Sequence, residues 1–214
     1  MRFDIITIFP KILDSYFNES LLKKAADKGL LIIKSHNLRD FTKDKHHKVD
    51  DRPYGGGPGM VLKADVVADA VKKVKGKKKS RVILFSLRGK KFNQTEAHRL
   101  SKYDQLIFIC GRYEGVDERV AKAVADEEIS MGDFVLAGGE LPAAIVIEAV
   151  SRLVPGVLGK LESLEENKGS YPVYTKPEIL KMKAGGGKVK VMKVPEVLMS
   201  GNHKKIDEWR QENS

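Results

Sequence analysis

Residues 105–110 read Gln-Leu-Ile-Phe-Ile-Cys, and Gly111 follows at once. Leu106, Ile107, Phe108 and Ile109 form an unbroken apolar run with no polar alternation, the pattern of a strand buried on both faces of a parallel sheet. At Gly111 side-chain bulk vanishes. A second glycine-marked turn carries Gly132, Gly138 and Gly139, and Pro142 then opens a helix in its first turn, where a missing N–H costs nothing. Two such turns after two apolar strands predict a ligand site built largely from backbone amides.

The rest of the chain alternates in the same manner. Strands are expected at 3–9, 30–37, 81–87, 105–109 and 128–131. Helices are expected at 12–28, 63–73, 95–100, 117–125 and 141–153. Gly29 is a good stop for the first helix, and Val66, Val67, Ala70, Val71 and Val74 have helical spacing in the second. This order predicts an α/β fold around a mainly parallel sheet. Residues 41–60 are too rich in glycine, proline and charge to form one regular element. After Pro155 the sequence turns polar and turn-prone, so the expected division is a main domain over 1–159, a linker over 160–191 and a small helical module over 192–214.

At 214 residues the chain is long enough to bury a sizeable core without disulfides. The single cysteine, Cys110, ends a buried strand and is expected to pack rather than react. No basic leader precedes the first strand and no run is long enough to span a bilayer, so a cytoplasmic protein with no membrane partner is expected. Lysine and arginine total 39 against 29 acidic residues, a net charge of +10 that makes a polyanionic partner plausible.

Several chemistries are excluded or weakened. Pro53 to Met60 read PYGGGPGM, with four glycines and two prolines in eight residues, but without the spacing of a triphosphate-binding loop. Tyr54, Gly55, Gly56 and Gly57 in that loop would let a nucleotide approach the backbone. His46 and His47 adjoin Asp50 and Asp51, yet adjacent histidines point apart and no second cluster completes a coordination sphere, so no metal site is expected. No hydrolase signature of the Gly-x-Ser-x-Gly or His-Glu-x-x-His kind occurs.

PYGGGPGM at 53–60, CGRYEGVDERV at 110–120, SMGDFVLAGGELPA at 130–143, RLVPGVLG at 152–159 and SGNH at 200–203 together resemble the bacterial tRNA (guanine-N1)-methyltransferases of the TrmD type, members of the SPOUT superfamily. The resemblance implies a deep trefoil knot, a homodimer with active sites across its interface, tRNA as partner, S-adenosylmethionine as cofactor and magnesium as an assistant. Against the family, the helical module after residue 192 is short, as if truncated.

The resemblance also implies residue roles. Ser86, Leu87, Gly111, Met131, Gly132, Asp133, Phe134, Val135, Leu136, Gly138, Gly139 and Pro142 would hold the cofactor, with Leu87 standing where the family commonly has proline. Glu114 would accept hydrogen bonds from the target guanine, beside the 54–57 loop; the bland alternative is a surface carboxylate paired with Arg112 or Arg119. Arg152 would stabilise charge on the guanine oxygen. The family's catalytic aspartate falls at Asn167, whose amide cannot accept a proton, which makes the adjacent Glu166 the best substitute base. The expected reaction is methyl transfer to N1 of the guanosine 3′ of the anticodon. The alternatives are a catalytically weakened homologue that binds cofactor and RNA, and a methyltransferase with another RNA target.

Overall fold

The structure is a computed structural model, and it describes residues 1–159, 170–183 and 189–214. It divides into two compact units, Met1–Leu158 and Gly159–Ser214.

The first unit is a five-stranded sheet built from β1 (Arg2–Thr7), β2 (Ile32–Asn37), β5 (Ser80–Lys91), β6 (Gln105–Ile109) and β7 (Glu127–Ser130). Its order is β2-β1-β6-β5-β7, and every pairing is parallel. All five β6 residues are buried, as the apolar run predicts for a strand covered on both faces. The pleat sorts its side chains: Leu106, Phe108 and Cys110 join one core with Phe3 and Ile5, while Ile107 and Ile109 join the other with Ile6 and Ile8. Phe108 stacks between Phe3 and Phe85, with ring centroids 6.4 and 5.7 Å away.

Helices seal both faces. On the first lie α2 (Ser20–Asp27), α4 (Gln94–Leu100) and α6 (Glu140–Ser151); on the second lie α3 (Ala64–Val74) and α5 (Glu118–Ala123). The valines expected to form the buried stripe of α3 are all buried. Asn93 caps α4 by accepting from Glu96 N at 3.0 Å, and Asp117 caps α5 by accepting from Arg119 N at 2.9 Å.

Three elements differ from expectation. The helix expected over 12–28 is two: α1 (Asp14–Phe17) and α2, separated where the Asn18 amide donates to Asp14 O at 2.8 Å and Ser20 takes φ +51°. That side-chain bond competes with continued backbone pairing. The strand expected over 81–87 runs on to Lys91, with its register against β7 shifting between Phe85 and Lys90. Residues 86–89 therefore form a bulge between the two registers, with Leu87 and Arg88 exposed and Gly89 against the β7 backbone. Inside the 41–60 loop and just after it, β3 (Asp50–Asp51) pairs antiparallel with β4 (Val61–Leu62).

In the second unit, β8 (Ile179–Lys183) and β9 (Val189–Lys193) pair antiparallel, and α7 (Glu196–Met199) and α8 (His203–Glu212) follow. Asn202 caps α8 by accepting from Lys205 N at 3.3 Å, and Trp209 packs against Tyr174 at 6.3 Å between ring centroids. Among the described residues no helix is long and apolar enough to cross a membrane.

Candidate functional site

A cavity of about 440 Å3 opens at the carboxyl ends of β5, β6 and β7, where parallel α/β sheets place their ligands. Three segments make most of its wall: residues 84–88 at the bulge of β5, the loop 111–116 after β6, and the loop leading from β7 into α6, with Glu118 and Ala121 of α5 adding to it. Ser86, Leu87, Gly111, Met131, Phe134, Val135, Leu136, Gly138, Gly139 and Pro142 all line it, as does Glu114. Ten of the twelve residues named for the cofactor are thus brought together. Gly132 is not in the wall, and Asp133 turns outward to Lys91 Nζ at 2.6 Å.

Glycine is needed where backbone meets backbone. A Cβ on Gly139 would sit 2.7 Å from Cys110 Cα, and one on Gly89 would sit 2.5 Å from the backbone of Glu128 and Ile129. Gly139 N donates to Gly111 O at 3.1 Å, which ties the two loops directly. Tyr113 holds φ +59° beside Gly115 at φ +122°, so the 111–116 loop keeps a side chain in left-handed backbone.

The PYGGGPGM loop is anchored to the same region by its far end. Glu114 N donates to Met60 O, Leu62 N to Gly115 O, and Asp117 N to Leu62 O, each at 3.0 Å. The Glu114 side chain lies over Gly59, where any Cβ would collide with it. Tyr54 is fully exposed, and Tyr54, Gly55, Gly56 and Gly57 do not line the cavity. Neither arginine weighed as a partner for Glu114 binds it. Arg112 goes to Glu140 and Arg119 to Asp117, and Glu114 has no ion pair among the described residues.

Arg152 lies elsewhere. It is the C-cap residue of α6 and lines a second, mainly apolar groove with Ile12, Tyr16, Leu141, Ile145 and Glu148. Phe134 and Leu136 belong to both hollows. Within one chain Arg152 and Glu114 therefore face different spaces that share a wall. Glu166 and Asn167 lie outside the described residues.

Five wall or support residues went unread as site residues in the sequence: Arg88, Arg112, Glu118, Glu128 and Glu140. Arg88 bridges Glu118 at 2.7 Å and approaches Glu128 at 3.6 Å, while Glu128 Oε1 is buried with no hydrogen-bond partner among the described residues. Alternating charges on a turn and two later segments give no local signal, because their pairing exists only once the strands are aligned. Cys110 is buried, and burial first, then the Glu140 charge, pushes its thiol well above the usual range. It is therefore built for packing, not nucleophilic attack.

A family model described as tRNA (Guanine-1)-methyltransferase TrmD matches residues 1–214. The chain belongs to that family. Among curated relatives, a tRNA (guanine-N(1)-)-methyltransferase of Dictyoglomus turgidum is 52% identical, over all of this chain and 85% of its own length. Proteins of the same name from Carboxydothermus hydrogenoformans and Clostridioides difficile are 49% and 46% identical; this chain is covered entirely in both matches, and 83% and 92% of theirs. For a member of the TrmD family, the glycine-walled cavity falls on the motifs that carry the resemblance.

Proposed function

We propose that this protein transfers a methyl group from S-adenosylmethionine to N1 of the guanosine on the 3′ side of the tRNA anticodon, acting as a homodimer in the cytoplasm. The observation that carries this reading is the cavity itself, in a chain of the TrmD family. Its volume of about 440 Å3 lies within the roughly 300–1,000 Å3 of small-molecule sites. Its glycines leave backbone amides and carbonyls to read a flat, apolar-faced base. The residues present thus fit the cofactor, and the SPOUT knot would thread where Gly139 crosses Gly111.

The bound cofactor supplies an electrophilic methyl group on a sulfonium. Neutral guanine carries a hydrogen at N1, so as the new nitrogen–carbon bond forms and the carbon–sulfur bond breaks, that proton must pass to a base. Glu114, exposed and with no ion pair among the described residues, accepts hydrogen bonds from the guanine edge. Arg152 donates to O6, where negative charge gathers as N1 loses its proton. Glu166 is the acceptor of that proton, since the Asn167 amide beside it has no basic site. Among the described residues no group of three or more metal-capable side chains comes together, so these offer magnesium no cage of their own.

The second groove supports the dimer. Leu141 and Ile145 are 59% and 47% exposed one turn apart on α6, beside Ile12 and Tyr16. Val135 on the adjoining loop is 82% exposed. A contiguous apolar face of this kind marks an association site. A second copy covering it would carry its own Arg152 to the shared Phe134–Leu136 wall, completing a site that one chain leaves divided. In this reading 1–159 is the cofactor and catalytic domain, 160–191 the linker and 192–214 an RNA-gripping module.

Transfer of labelled methyl to tRNA transcripts, with guanosine or another base at the target position, tests specificity and base together. We expect label only with guanosine, and its loss in Glu166→Gln. Transfer that persists without the guanosine rejects the target. An inactive parent rescued by Asn167→Asp would favour the second reading, a homologue weakened by the absence of the family's aspartate.

A further inference from the structure

Three segments far apart in sequence converge beneath the cavity on one buried carboxylate. Glu140 opens α6 and is 1% exposed. Its Oε1 accepts from Thr7 Oγ1 at 2.5 Å, at the end of β1. Its Oε2 takes Nε and Nη2 of Arg112, both at 2.9 Å, from the loop after β6. The guanidinium is also stacked over the Phe9 ring, 4.9 Å from its centroid, and Phe9 N donates back to Thr7 Oγ1 at 2.9 Å. Arg112 lines the cavity, and Glu140 does not.

The glycines around this pair show how tightly it sets the loops. A Cβ on Gly138 would strike the Arg112 side chain and Glu140 Oε2, and Gly139 already rests on Cys110. Burying a carboxylate and a guanidinium is costly unless each satisfies the other, so the pair behaves as a rigid unit. The first turn of α6 adds helix-dipole stabilisation to the anion. Neither charge has another ion partner among the described residues, so removing one strands the other.

We propose that Glu140 is a positioning residue for the cofactor: acting through Arg112, with Thr7 as its anchor to the sheet, it fixes the spacing of the 111–116 and 132–139 loops that cradle S-adenosylmethionine. This rests on reading the cavity as the S-adenosylmethionine site. Glu140 touches no reacting atom. Its effect is on how the two loops meet the ligand, which is a matter of affinity rather than of fold.

Calorimetric titration of S-adenosylmethionine and of S-adenosylhomocysteine into the parent, Glu140→Gln, Arg112→Lys and Thr7→Val tests it, at a temperature where circular dichroism shows each variant folded. Loss of a charge-assisted hydrogen bond predicts that Kd rises about tenfold or more for Glu140→Gln and Arg112→Lys, equally for both ligands. Thr7→Val, which keeps the ion pair, is expected to raise Kd about threefold, the scale of one neutral hydrogen bond, and it carries the test if Glu140→Gln fails to fold. The KM for cofactor rises in parallel, while the KM for tRNA does not. Folded variants that bind within twofold of the parent, or that only melt earlier, overturn the positioning role and leave the cavity's assignment standing. A parent that binds neither ligand overturns both.

Discussion

Gly139 lies flat on Cys110, so close that a Cβ would stand 2.7 Å from Cys110 Cα, and its N–H bonds the neighbouring Gly111 carbonyl at 3.1 Å. Its φ is −85°, a value open to any residue, so the demand for glycine here is purely one of space. Gly139→Ala is therefore expected to pry the two cavity loops apart, costing about 1–3 kcal/mol of stability, as overpacking does. S-adenosylmethionine affinity falls with it. Thermal melts with and without cofactor check this, and the stabilisation by cofactor seen in the parent is expected to shrink in the variant.

Cys110 is the counterpart of that contact. Burial, reinforced by the Glu140 charge, holds its proton on, so the thiolate needed for reaction is scarce and unreachable. The folded protein is expected to resist aromatic disulfide reagents at pH 8 and to give one equivalent of free thiol in guanidinium chloride. Rapid labelling of the native protein would contradict this packing.

Asp117 should leave a signature at low pH. Arg119, through its side chain and then its backbone N–H, lowers the Asp117 pKa to about 2. A carboxylate whose folded pKa lies below its unfolded value stabilises above the unfolded pKa, and that contribution disappears as pH falls through the folded one. The stability difference between the parent and Asp117→Asn is thus expected to be flat from neutrality to about pH 5 and to shrink between about pH 4 and 2. Asp117→Ala removes the α5 cap as well and is expected to cost about 1 kcal/mol at neutral pH. Denaturant titrations across that range measure both.

The proposed homodimer puts the apolar groove on α6 at its interface. Ile145→Asp places a charge on a side chain that is 47% exposed in one chain, so the monomer tolerates it. An interface does not, and sedimentation is expected to show monomers where the parent sediments as a dimer. Methyl transfer is expected to fall at least tenfold while each monomer still folds, because in the proposed dimer each site is completed by the partner's Arg152.

Much of this arrangement is legible in sequence wherever one residue type answers one local demand. The all-buried β6, the valine stripe of α3 and the glycine-walled loops follow from apolar runs and missing side chains. What escapes notice depends on alignment across the sheet. The 86–89 bulge arises because both Phe85 and Lys90 of β5 pair with Ile129 of β7, and no property of Ser86 or Leu87 alone announces that. The break before Ser20 coincides with one hydrogen bond from the Asn18 side chain and the positive φ of Ser20. Glu140 reads as an ordinary first-turn carboxylate until Thr7 and Arg112, 133 and 28 residues away, are seen to close on it.

The central claim is tested most directly by nucleoside analysis of tRNA after incubation with the protein and methyl-labelled S-adenosylmethionine. Label recovered as 1-methylguanosine, from the position 3′ of the anticodon, is the predicted result. Label in any other nucleoside, or none with tRNA that the protein demonstrably binds, would contradict it.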